Sequence, residues 1–224
     1  MEKFTEFKNI VTDPYTYCHK YKEETGKKIV GYTCSYTPEE IIYAAGALPF
    51  RLFGTNEGIH RADIHLQTYC CSLIRGVLEE GLSGRLDFLD GVVFPHTCDT
   101  IQRLSDIWRL NIPKQFHIDL VLPVKLNTAS ARQYLIDILE RFKKDLEHAL
   151  GAKITDAALA DAIKIYNQIR TLNDENIHSP CPKAGNDKWT RSPQHHQSGH
   201  DYGPAALFED TNANRSSIGK RTCR

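Results

Sequence analysis

Two cysteines stand where a strand is predicted to lead into a helix, a position at which a thiolate can bind metal. Cys34 follows the apolar segment 28–32 and precedes a helix signal at Thr37, and Cys98 follows the apolar run 91–94. Open α/β sheets bind their ligands at the carboxyl ends of strands. The unpaired N–H groups of a helix terminus favour the thiolate, which is the form that coordinates metal. Cys34 and Cys98 are therefore candidate ligands, with an inert buried thiol as the alternative for each.

The adjacent pair Cys70 and Cys71 is separated by helical geometry, because residues 64–80 are predicted to form one helix. Cys70 is expected to face the core as a small apolar side chain. It shares a stripe with Leu66, Leu73, Ile74 and Val77. Cys71 is turned by about 100° from that stripe and is freer to reach a site. Cys71 is thus a third candidate ligand, whereas Cys18, Cys181 and Cys223 are assigned no role.

The spacing of the seven cysteines is typical neither of a CxxC knuckle nor of a zinc finger. An odd number of cysteines also excludes a fully paired disulfide framework. Cysteines dispersed over different elements suit a cluster held between those elements better than a local metal loop. The sequence lacks GxGxxG, GxxxxGK(S/T), GxSxG and HExxH, which argues against nucleotide hydrolysis by this chain and against a serine-hydrolase mechanism.

Composition restricts the class of protein further. Lysine plus arginine and aspartate plus glutamate number 28 each among 224 residues, so no net cationic field exists to collect the phosphates of a nucleic acid. No segment approaches the roughly 20 apolar residues that span a bilayer, and the first residues lack the apolar stretch of a secretory signal. We expect a cytoplasmic protein that binds neither nucleic acid nor membrane.

Apolar segments alternate with helix signals as far as residue 176. The predicted strands are 28–32, 49–53, 91–94 and 116–124, and the predicted helices between them are 37–46, 64–80 and 100–110. Thr37 is expected to cap the first of these helices, and Glu39 and Glu40 are interpreted as first-turn carboxylates that favour the helix dipole. Strands alternating with helices predict an α/β fold with a layered parallel sheet and flanking helices.

Two longer helices are predicted after the last strand. The first ends at Gly151, and Thr155 caps the second, which is expected to bury Leu159, Ile163 and Tyr166. These helices end the part of the sequence that has regular apolar spacing.

The character of the chain changes after residue 176. Residues 177–224 hold only four Ile, Leu, Val, Phe or Met residues, too few for a packed core, and are expected to form a disordered tail. The abrupt change suggests a disrupted reading frame or a truncation. The predicted organisation is an α/β lobe at 1–150, a helical segment at 151–176 that leads to a missing second lobe, and the atypical tail.

Three sequence blocks combine these features in an uncommon way. They are GYTCSYTPEEIIYAAGALPFRLFG at 31–54, CSLIRGVLEEGL at 71–82 and LDGVVFPHTCDTIQRLSDIWR at 89–109. Together with the helical stretch 146–170 they resemble the amino-terminal half of the iron–sulfur subunit of the 2-hydroxyacyl-CoA dehydratase and benzoyl-CoA reductase family. The third block is the most specific, because an apolar strand that runs into PHTCDT is rare.

The resemblance implies one of two Rossmann-like lobes, with a 4Fe–4S cluster in the cleft between them. It also implies a related second subunit and an ATP-dependent iron–sulfur activator protein as partners, and an acyl-CoA thioester as substrate. The thioester is reduced to a ketyl-type radical, which permits either dehydration of a 2-hydroxyacyl group or reduction of an aromatic ring. Matching positions imply that Cys71 and Cys98 ligate the cluster, and that Cys34 either ligates it or lines the site.

Polar side chains beside these cysteines are candidates for catalysis. Ser35 could donate a hydrogen bond to a thioester carbonyl, and His96 could orient a ligand or move a proton. Arg103 and Arg109 could meet the phosphates of CoA. Each of these residues has a simpler interpretation. Ser35 would be an ordinary loop hydroxyl, and His96 a loop histidine that is hydrogen-bonded to its neighbours. Arg103 and Arg109 would be surface residues of an amphipathic helix.

Two other functions remain open. One is a zinc hydrolase with Cys34, Cys71, Cys98 and His96 as metal ligands, and the other is a non-catalytic remnant that only binds a partner subunit. The family's second lobe supplies a further ligand cysteine, so a chain without that lobe is expected to be inactive by itself.

Overall fold

A computed structural model of the protein describes residues 10, 12–55, 57–113 and 115–178, with side chains described as far as residue 174. Most of the predicted disordered tail, 177–224, therefore lies outside the described residues.

The core of the described structure is a four-stranded parallel sheet in the order β2-β1-β3-β4. Its strands are β1 (Ile29–Tyr32), β2 (Leu48–Arg51), β3 (Gly91–Pro95) and β4 (Phe116–Leu120). The central strand β1 pairs with β2 on one side and β3 on the other, with Val30 opposite Pro49 and Gly91. This arrangement confirms the predicted layered parallel sheet.

Helices cover both faces of the sheet. Their bounds are α1 (Pro14–Thr25), α2 (Glu39–Ala44), a 3-10 turn (Ala62–Ile64), α3 (Ser72–Leu82), α4 (Asp99–Asn111), α5 (Ala129–Leu150) and α6 (Asp156–His178). Because neighbouring strand residues point to opposite faces, Val92 and Phe94 join one core and Val30 and Val93 the other. The first core is closed by α1, α3 and α4 and the second by α2, α5 and α6.

The helix α1 was not predicted, although its sequence carries three of the usual boundary signals. The Asp13 carboxylate accepts a hydrogen bond from the backbone N–H of Thr16, and Pro14 occupies the first turn. Gly26 ends the helix in the left-handed conformation, with φ of 65°. The helix was missed because its segment has few apolar residues and therefore no clear apolar period. Cys18 is the residue that this helix buries.

The ends of the last two helices agree with the sequence. Gly151 has φ of 65° and ends α5, and the Thr155 hydroxyl accepts from the N–H of Ala158 at 3.2 Å. The predicted burial of Ile163 is wrong, since its side chain is 43% exposed. The buried stripe of α6 runs through Ala162 and Tyr166, and Ile163 lies one residue, about 100°, away from it.

The prediction of one helix over 64–80 is wrong. A 3-10 turn ends at Ile64 and α3 begins only at Ser72, so Cys71 precedes the helix instead of lying on it. The intervening segment contains the β-branched Thr68 and the aromatic Tyr69, which have low helix propensity. Cys70 is nevertheless buried, as predicted, whereas Leu73 is 40% exposed.

The predicted cap at Thr37 is also wrong. The Thr37 hydroxyl donates to the carbonyl of Thr33 at 2.9 Å, which ties the loop after β1 together. The residue that flanks α2 is Pro38, which forms no side-chain capping bond with any described residue. The strand predicted at 116–124 stops at Leu120, since Pro123 cannot donate to a sheet ladder.

Candidate functional site

The strand order creates a switch point between β1 and β3. The chain leaves β1 toward β2 on one side and then crosses over β1 to reach β3 on the other side. The loops after β1 and β3 therefore diverge at the carboxyl edge of the sheet, which is where α/β proteins of this type bind ligands. Cys34 lies in the first loop, and His96 and Cys98 lie in the second.

The two loops touch through Cys34. The Thr97 hydroxyl lies 3.5 Å from the Cys34 Sγ, and the N–H of Thr33 donates to the carbonyl of Val93. Cys34 has φ of 65°, a left-handed conformation that costs a residue other than glycine on the order of 1–3 kcal/mol. Contacts with the surrounding loops hold the half-buried Cys34 thiol toward the second loop despite this cost.

Cys71 and Cys98 occupy equivalent places at two helix starts. Each is the extended residue directly before its helix, with ψ of 148° before α3 and 162° before α4. Both side chains are exposed. Since α3 and α4 run back from parallel strands, both helices begin at the carboxyl edge of the sheet. The two helices pack together on the face that Cys34 also contacts, so Cys34, Cys71 and Cys98 lie at the same edge and on the same face.

The remaining described cysteines are separated from this edge by burial. Cys70 and Cys18 are 5% and 1% exposed and belong to the core between the sheet and α3. Burial raises the pKa of the Cys18 thiol far above its usual range, so this thiol stays protonated. Burial therefore distinguishes Cys70 from Cys71, although the helix that predicted this distinction does not extend through them.

The side chains of Cys34, Cys71 and Cys98 are of the type that binds soft metals, because each offers a sulfur ligand. The described cysteines form no disulfide, and thiolates are the usual ligands of iron–sulfur clusters. Within the described part of the chain, however, no three His, Cys, Asp or Glu side chains gather into a metal-binding group. The donor types thus fit an iron–sulfur cluster, whereas a closed ligand set is not assembled by these residues.

Ser35 is exposed at the same edge and is held by an arginine. The Arg51 guanidinium donates to the Ser35 hydroxyl oxygen at 3.1 Å and lies over the ring of Phe53, 4.9 Å from its centroid. Because the Ser35 oxygen accepts this bond, its own O–H remains available to donate to a bound carbonyl.

His96 is the start of a polar network that sequence reasoning missed. Its Nε2 lies 2.8 Å from the Asp119 Oδ1, and the Ser105 hydroxyl donates to the same oxygen at 2.5 Å. The Ser105 oxygen also lies 2.8 Å from the Nε2 of His117. The sequence did contain a signal for this network. His117 and Asp119 are two residues apart in β4 and therefore lie on the same face of the strand, and Ser105 is a polar residue within the buried stripe of α4.

The two arginines considered for CoA lie on the solvent side of α4. Arg109 pairs with Asp106 on its own helix at 3.4 Å, and both side chains are more than half exposed. Arg103 is exposed as well. No hydrogen bond or ion pair connects either arginine to the thiols within the described residues, so a CoA contact remains a prediction.

Glu39 lies in the first turn of α2, as predicted, but its carboxylate is enclosed by other elements. Its Oε2 is buried without a hydrogen-bond partner among the described residues, as are the hydroxyls of Tyr32 and Tyr166. Burial raises the pKa of Glu39 to about 7, and the nearby charge of Glu40 adds to this shift. The Tyr32 hydroxyl and the cations Arg51 and Arg170 oppose it. Glu39 is therefore a partly protonated acid enclosed by β1, α2 and α6.

The fold is expected to lose stability as this acid ionises. The pKa of Glu39 is about 7 in the fold against 4.5 for a free glutamate, so the cost of ionisation is absent below pH 4.5. It grows as the pH rises toward 7 and reaches a few kcal/mol above that value. Glu39→Gln should therefore flatten this decline and be more stable than the parent at pH 8. Urea unfolding of the full chain between pH 5 and 8 measures it.

Glu40→Gln is the matched control for this prediction. Glu40 is the next residue of α2 and pairs with Arg170 of α6, so its loss should lower stability. Most of the decline between pH 5 and 8 should remain, because burial is the larger cause of the raised pKa of Glu39 and the charge of Glu40 the smaller one. A Glu39→Gln protein that declines with the same slope as the parent would contradict the assignment.

Comparison with known proteins finds relatives that are named as subunits of acyl-CoA dehydratases and of a benzoyl-CoA reductase. A family model described as 2-hydroxyglutaryl-CoA dehydratase, D-component, matches residues 34–187. The chain is 37% identical over 161 residues to a benzoyl-CoA reductase subunit of Thauera aromatica. It is 36% identical over 172 residues to the beta subunit of lactoyl-CoA dehydratase of Anaerotignum propionicum, and 34% identical over 175 residues to the beta subunit of (R)-2-hydroxyglutaryl-CoA dehydratase of Acidaminococcus fermentans.

These matches cover much of this chain but less of the relatives. They span 70% of this chain and 42% of the reductase subunit, and 76% of this chain and 45% of each of the two dehydratase subunits. The chain thus spans less than half the length of the curated relatives it matches. None of the helices in the described ranges has the length and apolar character needed to cross a membrane.

Proposed function

The chain belongs to the 2-hydroxyglutaryl-CoA dehydratase D-component family, and from this premise we propose that it is the thiol-bearing lobe of an iron–sulfur subunit acting on acyl-CoA thioesters. The relatives are named as subunits of dehydratases and of a reductase, which supports a dehydratase-type subunit. The observation that carries the proposal is the common placement of Cys34, Cys71 and Cys98 at the carboxyl edge of the sheet, on one face.

In this proposal Cys71 and Cys98 hold a 4Fe–4S cluster, and Cys34 either completes the ligands of this lobe or lines the site. Both helix-start thiols are exposed, so they can reach a group bound outside the lobe. When bound, such a cluster supplies single electrons to the thioester, as ketyl-radical chemistry requires. The ligands that these residues do not provide are assigned to a second lobe.

Ser35 and His96 have distinct roles at this edge. Ser35 accepts from Arg51 and can donate its O–H to the thioester carbonyl oxygen, which holds the acyl group in place. The His96 Nε2 faces the Asp119 carboxylate and therefore carries a proton, which leaves the Nδ1 of a neutral ring as the acceptor for a substrate proton. Dehydration and ring reduction both need proton movement, so these roles fit either reaction.

Two protein partners are proposed, because the described lobe offers neither an ATP-binding loop nor a closed active site. The sequence contains no phosphate-binding GxxxxGK(S/T) loop, so ATP-driven electron delivery is assigned to a separate iron–sulfur activator protein. The relatives are named as subunits, which supports a related second subunit as partner. The exposed thiols leave the edge open to water, so turnover is assigned to the complex and not to this chain alone.

A non-catalytic role in binding a partner subunit is the second candidate. It is favoured by the open edge, where the described residues assemble no closed metal site. The zinc-hydrolase alternative has less support, since a zinc site needs a closed set of ligands and no three His, Cys, Asp or Glu side chains of the described residues gather into one.

Anaerobic reconstitution of the full chain with iron and sulfide tests these functions together. We expect a brown, oxygen-sensitive protein with broad visible absorption and bound iron, because three thiols of the required kind lie at one edge. A colourless protein that binds zinc in preference to iron would support the hydrolase. A colourless protein that binds neither metal would leave partner binding as the function of this lobe.

A further inference from the structure

Four polar side chains form a network behind the turn that carries Cys98. We call it the Asp119 network, and it consists of His96, Ser105, His117 and Asp119. Two of its members come from β4, one from the middle of α4, and one from the residue that directly follows β3. The network thus joins the interior of the α4–β4 layer to the carboxyl edge of the sheet.

The direction of each hydrogen bond follows from the donor inventory. An ionised Asp119 can only accept, so the Ser105 O–H must donate to it, at 2.5 Å. Ser105 then has no proton left for His117, so the His117 Nε2–H donates to the Ser105 oxygen at 2.8 Å. Burial lowers the pKa of His117, which favours the neutral ring that this arrangement needs. The His96 Nε2–H supplies the remaining bond to Asp119.

The inner half of the network is rigidly enclosed. Ser105 is 1% exposed, and among the described residues its hydroxyl makes hydrogen bonds only with Asp119 and His117. The ring of His117 packs on Phe94, at 5.3 Å between centroids, and Phe94 packs on Trp108. The Asp119 carboxylate is therefore bonded to the hydroxyl of Ser105, whose position is fixed by core packing.

The outer half of the network fixes the turn between β3 and α4. The backbone N–H of His96 donates to the carbonyl of Leu120 at 2.9 Å, and its side chain is held by Asp119. Thr97 contacts the Cys34 sulfur, and Cys98 is the next residue. Movement of His96 would thus be passed directly to the turn that sets the position of Cys98 and the contact between Thr97 and Cys34.

We propose that Asp119 is a positioning residue for the metal-binding turn, which it holds by joining His96 to the buried Ser105 and the half-buried His117. The metal-binding role of the turn rests on the proposed function, whereas the hydrogen bonds that hold the turn do not depend on it. Asp119 itself touches neither the thiols nor the substrate in this role. It acts by keeping the 96–98 turn in one conformation, so that Cys98 meets an incoming cluster without first having to order.

Hydrogen exchange of the metal-free full chain tests the positioning directly. In Asp119→Ala the amides of the turn, read in peptides that cover 94–100, should exchange about tenfold faster or more, as expected for loss of a charge-assisted hydrogen bond. Asp119→Asn loses the charge but keeps an oxygen that accepts from His96 and Ser105, so its turn should exchange much more slowly than that of Asp119→Ala and close to the parent. Peptides covering β1 and α5 should be unchanged in both variants.

Two further variants keep the test decisive. His96→Ala frees the turn while Ser105 keeps its buried partner, so it should accelerate exchange of the turn even if Asp119→Ala fails to fold. Asp106→Asn, on the solvent side of α4, should leave the turn as in the parent. After reconstitution, iron bound per chain should fall in Asp119→Ala and His96→Ala and be retained in Asp119→Asn.

Unchanged exchange of the turn in both Asp119→Ala and His96→Ala would overturn the proposal. Equal acceleration in Asp119→Asn, or acceleration that spreads to β1 and α5, would overturn it as well, because the effect would then be general loosening. If the parent chain binds no iron at all, the proposed function fails, whereas the exchange result still decides whether Asp119 positions the turn.

Discussion

Cys98→Ser and Cys71→Ser are each expected to lose most of the iron that the parent chain binds after anaerobic reconstitution. Each thiol is exposed, stands directly before a helix and shares an edge and a face of the sheet with Cys34. A serine hydroxyl is a poor substitute, because it stays protonated where a thiol readily ionises. Iron and sulfide assays with visible spectra of the full chain measure the loss.

Cys70→Ala provides the matched control for this first prediction. Cys70 adjoins Cys71 in the chain, but its side chain is 5% exposed and packs in the core, and alanine removes the thiol without burying a hydroxyl. Its iron content per folded chain should equal that of the parent. If Cys70→Ala loses iron while Cys71→Ser retains it, the assignment of the two thiols is reversed.

Gly54→Ala should destabilise the fold by about 3 kcal/mol or more, because two costs coincide at this position. Gly54 has φ of 75°, a conformation that is strained for alanine. A Cβ would also lie 2.7 Å from the carbonyl oxygen of Leu73 and 2.9 Å from the nitrogen of Val77, both backbone atoms of α3. Backbone cannot rotate away, so α3 would have to shift.

Gly46→Ala separates these two costs. Gly46 has φ of 81°, yet a Cβ there would meet no described heavy atom within 4 Å, so only backbone strain of about 1–2 kcal/mol is expected. The difference between the two variants in urea unfolding measures the close approach of the loop after β2 to α3. A Gly54→Ala protein that is as stable as Gly46→Ala would show that α3 adapts without cost.

The alternation of apolar segments was enough to predict the layered sheet, because its two central strands are short and buried along their whole length. Residues 29–32 and 91–95 are buried throughout, so their apolar runs were unambiguous signals. Helix boundaries were predicted correctly where a glycine or a hydroxyl determines them locally, as at Gly151 and Thr155. They failed where a hydroxyl has a second local partner, as at Thr37, whose hydroxyl bonds back to the carbonyl of Thr33 instead of capping α2.

The candidate ligands could be chosen from the sequence, but their common face could not. A cysteine after a strand lies at the carboxyl edge by chain direction alone, which is why Cys34 and Cys98 were found. The separation of Cys70 from Cys71 was predicted from a helix that does not extend through them. Their exposure depends instead on how the segment before Ser72 packs against the core.

The sequence by itself determined the fold class, the family and the thiols that could bind metal, because these depend on residue type and on spacing along the chain. Tertiary structure decided which polar groups meet across elements. Ser105, His117 and Asp119 converge behind His96, and Glu39 is enclosed by Tyr32 and Tyr166, through the packing of elements that are distant in the chain. Neither the packing of α4 on β4 nor the burial of the Glu39 carboxylate can be predicted from local periodicity, since both depend on how the layers close over the sheet.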